Sequence, residues 1–362
     1  MATEEATTDS LMDFVSSVGG DAMLRVEESL GDGFVRLRVS EAERRQAKHD
    51  VRCVEDAVIE LLRNARDADA RHIFLATSRD GQTRTMTMLD DGRGVPEPMR
   101  ERIFDARVTS KLDDMHIDHW GVHGRGMALF SIKQNTTEAY VVDSEVGVGT
   151  SIRVCADTDE LTERTDQSTW PAVGTDDDGN RAVVRGPHNI IRTCCEFALE
   201  ERGRCDVYLG SAAEVVATIR ARVKPSVGSS ELLFVDDLAS LPLLERLSAA
   251  PDAQELMRLA RGLGLEISDR TAWRIIAGQI KPVRSVLSRL EHTGTGGPKT
   301  IDLGRDRRGL HVSEEDLHEF ARIVEKDFSY LADRYYLSLT DEPSVRVHGG
   351  RVTVTFPIAS ED

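Results

Sequence analysis

The chain has 362 residues, 40% of them hydrophobic and 30% charged, with a formal net charge of −17. That length allows two or three domains of ordinary globular composition, and no apolar run approaches the ~18 residues of a membrane-spanning helix. So acidic a chain repels nucleic acid over most of its surface, and DNA contact would need a local basic face.

The first 32 residues are expected as an N-terminal tail. Met1 to Ser10 is acidic and polar and lacks the basic start and apolar stretch of a secretory signal. Residues 33–39 alternate apolar and charged, as a half-buried strand does. Residues 41–69 contain no Gly or Pro and read as helix. Ile73 to Thr77 and Thr85 to Leu89 read as strands joined by a turn at Asp80-Gly81. Val95 to Trp120 shows little periodicity. Gly121 to Gly126 is glycine-rich and leads into a helical run, Met127 to Gln134. Strands over Thr137–Val142 and Thr150–Val154 complete a first domain, 33–155.

Residues 156–185 are acidic and polar and are expected as a linker or long loop. The C-terminal region, 186–362, reads as mixed α/β and largely helical, giving an α+β chain overall. Its expected elements are a helix over Asn189–Glu201, a strand over Cys205–Leu209 and a helix over Ser211–Val223. A strand over Leu232–Val235, a mostly helical 240–290 and a loop over His292–Pro298 follow. A long helix opens on the capping pattern Ser313-Glu-Glu-Asp316, and a hairpin turns at Gly349-Gly350. The five cysteines, Cys53, Cys155, Cys194, Cys195 and Cys205, form no Cys-x-x-Cys pair. Reduced, mostly buried thiols and a cytoplasmic location are expected.

Four constellations carry chemistry. In Glu60-Leu-Leu-Arg-Asn64-Ala-Arg-Asp67-Ala68, helical spacing places Glu60, Asn64 and Asp67 on one face. Glu60 there is a candidate general base, and Asn64 a neutral oxygen ligand for a hard cation that keeps several waters. In Asp90-Asp91-Gly92-Arg93-Gly94-Val95, a carboxylate at a strand end can accept from an exocyclic amine, with glycines that let backbone approach a flat ring. Gly121-Val-His-Gly124-Arg125-Gly126-Met127 opens a helix and offers backbone N–H groups to phosphate oxygens. Gly147-Val-Gly149-Thr150 opens the last strand.

Taken singly, each has an ordinary structural reading. Their order and spacing over residues 33–155 resemble the GHKL ATPase superfamily, whose nucleotide lies in a Bergerat-fold α/β sandwich under a lid. The resemblance implies ATP and Mg2+ as ligands. It implies Glu60 as the base for the attacking water and Asn64 as the magnesium ligand, with Asp67 and Ala68 beside the nucleotide. Asp90 would read the adenine amino group with help from Thr150, and Gly92, Gly94 and Val95 would lie against the base. Gly124, Arg125, Gly126 and Met127 would cap the phosphates. Val95 to Trp120 would be the lid, in which Ala106-Arg-Val-Thr109-Ser110-Lys111 is similar to the phosphate-contacting segment of MutL-type ATPases. The glycine box, by contrast, is closer to gyrase-like and chaperone-like ones. His49-Asp50 has the look of a phosphoacceptor pair but lies only eleven residues before Glu60, and is expected as an ordinary helix residue.

Beyond the domain, Lys224 or Lys281 is a candidate γ-phosphate lysine of the transducer type. Residues 255–285 resemble a repressor-type helix-turn-helix, or form a structural helical hairpin. A recognition helix at Asp269–Ile276 would turn Arg270 and Arg274 outward. Residues 246–290 hold eight Lys/Arg against four Asp/Glu, counter to the rest of the chain. Three readings follow: a MutL-like ATP-driven switch that pairs as a homodimer and acts on a protein partner, a nucleotide-gated DNA-binding regulator, and a histidine-kinase or anti-sigma type protein kinase. No membrane partner is expected.

Overall fold

Four successive residues, Ile73 to Ala76, are buried in one strand, which requires cover on both of its faces. The computed structural model describes residues 26–110, 116–118, 121–123, 126–176, 179–228, 232, 235, 237–294, 313–335, 337–348 and 351–360. Two compact units are formed, Met1–Glu291 and His292–Asp362.

The first unit begins with β1 (Val26–Gly31), β2 (Phe34–Leu37), α1 (Glu41–Asp50), α2 (Val54–Asp67), β3 (His72–Asp80) and β4 (Thr83–Asp90). Next come β5 (Val108–Thr109), β6 (His116–Asp118), β7 (Gly121–His123), α3 (Ala128–Asn135), β8 (Glu138–Glu145) and β9 (Gly149–Asp157). Then follow β10 (Ala172–Thr175), β11 (Arg181–Arg185), α4 (Ile190–Glu200), β12 (Asp206–Gly210) and α5 (Ala212–Arg222). The remaining helices are α6 (Leu243–Ala249), α7 (Ala253–Gly262), α8 (Asp269–Ile276) and α9 (Val286–Gly294). The second unit holds α10 (Glu314–Tyr335), β13 (Leu337–Leu339), β14 (Ser344–His348), β15 (Arg351–Thr355) and β16 (Ile358–Ser360).

The central sheet runs β12-β3-β4-β9-β8, with β12 parallel to β3 and the other pairs antiparallel. Alternation sends Ile73, Leu75, Met86, Met88, Ile152 and Val154 to one face, where α2 and α4 pack. It sends Phe74, Ala76, Leu89 and Tyr208 to the other, under α5 to α8. The C-terminal region thus completes the sheet's edge and closes its second face.

Several elements differ from the sequence reading. The expected helix over 41–69 breaks at Val51–Cys53, which are extended. No Gly or Pro marks the break. Val51 is buried, Asp56 Oδ2 accepts the Arg52 N–H at 3.0 Å, and Thr162 O accepts the Val54 N–H at 3.0 Å. Within the expected 1–32 tail, β1 pairs with β2 across Asp32-Gly33, both at positive φ; residues 1–25 lie outside the described residues. Residues 156–185 carry the β10–β11 hairpin. Leu232 donates its N–H to Gly228 O at 3.0 Å, a helical contact where a strand is expected. The start of the expected loop at His292 is the last turn of α9. Ser211 with Glu214, and Ser313 with Asp316, form the caps their sequences advertise. The turn Gly349-Gly350 lies outside the described residues, while β14 and β15 on either side of it are paired.

One buried ion cluster ties α2 to α4. Arg66 Nε donates to Asp67 Oδ1 at 2.9 Å, and its Nη1 to Glu201 Oε1 at 2.8 Å, with all three side chains at most 10% exposed. Removing the cation would take one partner from each of two buried carboxylates, of which Glu201 keeps Arg204 at 3.5 Å, and breaking a buried ion pair costs about 3–5 kcal/mol. Arg66→Ala is therefore expected to lower unfolding free energy by about that amount in urea denaturation. A loss under ~1 kcal/mol would show the carboxylates to be solvated instead.

Candidate nucleotide site

The strand ends and α2 enclose a cavity of about 1010 Å³. Its walls include Glu60, Asn64, Asp67 and Ala68 from α2 and its cap, Asp90 and Met88 from β4, and Thr150 and Ile152 from β9. Gly94, Val95, Thr109, Ser110, Gly126 and Met127 also line it. The expected site residues that the structure describes, apart from Gly92, thus share one cavity. Lys111, Gly124 and Arg125 lie outside the described residues. Lys224 and Lys281 are exposed and do not line the cavity.

Asp90 forms the buried end. Burial pushes its carboxyl up to about 7, against the Gly92 and Thr150 amides that favour the ionised form. The Gly92 N–H donates to Asp90 Oδ1 at 2.8 Å. Its neighbour Asp91 points elsewhere and titrates oppositely. Burial raises Asp91, but the His72 ring at 2.7 Å and the amides of His72 and Arg71 outweigh it and leave the group lowered. Adjacent carboxyls are thereby split into a structural anion and a cavity acid. Sequence alone leaves the choice between them to strand parity.

The glycines allow close approach between loops. A Cβ on Gly92 would lie 2.8 Å from both Ala68 O and Asp90 Oδ1. One on Gly94, at φ +72°, would collide with Glu145 O, and one on Gly149 with Asp90 O. These close approaches of loop to loop fix the cavity rim. Ser144, absent from the sequence reading, ties the rim together: it accepts from the Val95 N–H at 2.7 Å, donates to Gly149 O at 2.9 Å and lies 3.1 Å from Thr150 Oγ1.

On α2, Glu60 Oε1 accepts from Arg63 Nη1 at 2.8 Å, and Arg63 is buried. Asp67 is held by Arg66. The Asn64 side-chain nitrogen is buried with no hydrogen-bond partner among the described residues. A buried amide without a partner is costly, and a half-turn of its plane presents oxygen to a cation. Asn64 beside Glu60 therefore fits a Mg2+–phosphate group.

The expected lid is anchored over its first half. Met99, Ile103, Phe104 and Val108 are buried, and β5 pairs with β2. Arg107 sits in the left-handed region at φ 61°, its side chain paired with Glu43, its N–H on Gly126 O and its carbonyl accepting from Leu37. No short-range signal marks Arg107, because its partners come from α1, β2 and the start of α3.

Residues 49–160 match the family model described as histidine kinase-, DNA gyrase B- and HSP90-like ATPase. The N-terminal part is thus a Bergerat-like α/β domain of the GHKL ATPase superfamily, followed by a mostly helical C-terminal region. The chain is also similar to a solved structure described as full-length ShkA in complex with AMPPNP, at 16% identity and TM-score 0.23. That similarity covers 78% of this chain and 65% of the ShkA chain, so this chain spans less than two thirds of that protein. No curated protein matches. Among the described residues, no helix is long and apolar enough to cross a membrane.

Asp90 supplies a signed prediction. A carboxyl raised to about 7 in the fold keeps a proton that the unfolded chain gives up near pH 4, so its penalty grows from pH 4 to pH 7 and then levels. Asp90→Asn should match wild type in stability near pH 4 and exceed it by up to about 4 kcal/mol at pH 8. Thermal unfolding across that range reads the difference, and a gap independent of pH would refute the assignment.

Proposed function

We propose that residues 33–155 bind ATP with Mg2+ and hydrolyse it, and that the cycle works as a conformational switch. The convergence on one cavity of a buried acid, Asp90, and an amide without a partner among the described residues, Asn64, carries this reading. Asp90, once ionised, accepts from the adenine amino group, and Thr150 assists from the paired strand. Met88 and Ile152 offer apolar contact to the ring between the polar ends.

Asn64 would hold Mg2+, which would offset the charge of the phosphates. Arg63 orients Glu60 toward the phosphate end. Glu60 takes a proton from water as its oxygen bonds to the γ-phosphorus, and the bond to the bridging oxygen breaks to release ADP. The segment Val95 to Trp120 would serve as the lid, with Thr109, Ser110 and Lys111 at the phosphates and Gly124 to Met127 as the cap. Pairing of two protomers and contact with a protein partner would follow closure, as the resemblance to MutL-type ATPases implies.

A second reading, phosphotransfer to a histidine, is favoured by one observation: His49, on the last turn of α1, lines the same cavity.

ATP labelled on the γ-phosphate separates the two. Under the main reading wild type releases inorganic phosphate, and Glu60→Ala slows release by at least about 100-fold while still binding ATP. Acid-labile label on the protein, lost in His49→Ala, would instead mark phosphotransfer. Neither product would sink both readings. Adenine-nucleotide affinity should also weaken as pH falls below 7, by up to about tenfold per unit, because protonation removes the charge that strengthens the hydrogen bond Asp90 accepts from the amine.

A further inference from the structure

The turn between α7 and α8 hangs on the back of the nucleotide sheet. Thr87 Oγ1 donates to Gly264 O at 3.0 Å, Arg153 Nη1 to the same oxygen at 3.1 Å, and Ser151 Oγ to Leu263 O at 2.8 Å. Gly264 is at φ +76°, and a Cβ there would meet Val142 at 3.0 Å and Thr87 at 3.3 Å. These anchors alternate along β4 and β9 with Met88, Asp90, Thr150 and Ile152, which line the cavity. Two adjacent strands therefore hold the cavity on one face and the helix pair on the other.

The helix so held is amphipathic. Ala272 and Ile275 are buried, whereas Arg270, Trp273 and Arg274 are exposed, Trp273 by 64%. Lys281 and Arg284 follow and are also exposed. Arg246 and Arg258 nearby are paired with Asp143 and Glu255. Arg270, Arg274, Lys281 and Arg284 have no ion-pair partner among the described residues.

A chain of net charge −17 gains nothing in solubility from four unpartnered cations on one segment. Their complement is a dense, regular array of negative charge. Duplex DNA carries one charge per ~1.7 Å of axis, and its major groove is ~12 Å wide, room for a helix like α8. The acidic remainder of the chain would orient this face toward the duplex by repulsion elsewhere.

We propose that the outer face of α8 and the segment through Arg284 docks on duplex DNA, and that nucleotide in the cavity alters that docking through the Thr87, Ser151 and Arg153 anchors. The coupling rests on the nucleotide-binding reading above; the docking does not.

Fluorescence anisotropy of the full chain on a labelled duplex tests both. Wild type should bind with an affinity that falls steeply between about 50 and 200 mM salt. Arg270→Ala with Arg274→Ala should weaken binding by about 10- to 100-fold and leave nucleotide binding, read by calorimetry, unchanged. Absence of salt-dependent binding, an unaffected double variant, or equal binding to polyglutamate would overturn the docking. Saturating AMPPNP should shift DNA affinity by about fivefold or more, and Thr87→Val should abolish the shift while nucleotide still binds. Nucleotide binding without a shift overturns the coupling alone. No nucleotide binding in calorimetry overturns the function proposed above and the coupling with it, while the DNA titration still reads the docking.

Discussion

The structure depends on β4 being buried on both faces. A strand with two covered faces alternates between two environments, and a shift of register by one residue would exchange them. Met88 and Asp90 face the cavity, and Thr87 and Leu89 face α5 to α8. The Asp90–Thr150 pairing fixes the same parity in β9. Placing Asp90, Thr150 and the anchors of the helix pair is thus one event, the pairing of β4 with β9.

Several polar groups inside this core have a partner that also fixes geometry. Arg84, buried on β4, is held by Glu163 at 2.7 Å, which binds the segment after β9 to the sheet. Glu55 accepts from Gln167 at 2.6 Å and from the Arg164 N–H at 3.2 Å, joining α2 to the same segment. Asp91 gathers the His72 ring and two amides at the open end of β3. Such satisfied contacts keep α2 and the strand ends at fixed distance, so that Glu60, Asn64 and Asp90 are presented by a rigid frame.

The site was legible in the sequence to the extent that its chemistry is local. Glu60, Asn64 and Asp67 share a helical face by spacing alone, and Asp90 stands at a strand end before glycines; their convergence on one cavity follows from both elements feeding one sheet. Caps at Ser211 and Ser313 were equally readable, because a cap and its partner lie three residues apart. The break between α1 and α2 was not, since its hydrogen bond goes to Thr162, more than 100 residues away. Ser144 and Arg107 were missed for the same reason. The glycines after Asp90 were recognised as positions of close approach, but the neighbours a Cβ would meet there, Ala68, Asp90 and Glu145, are identified only by tertiary structure. Strand β12 pairs parallel to β3 across a long connection, and no local pattern reports such pairing.

What remains at the cavity is a set of groups that the fold supports but does not satisfy. Asp90 is buried with its carboxyl pushed up to about 7, the Asn64 side-chain nitrogen has no partner among the described residues, and Arg107 holds a left-handed backbone. Each is unfavourable, and each persists because the surrounding contacts over-determine it. Asp90 accepts from the Gly92 and Thr150 amides, and the Asn64 side-chain nitrogen has no partner among the described residues; the nucleotide proposed above would bring a further donor to the first and a partner to the second. A ligand meeting both needs would bind the folded state alone and so add to its stability. The disposition of these groups thus ties the fold's weakest points to the chemistry it would recognise.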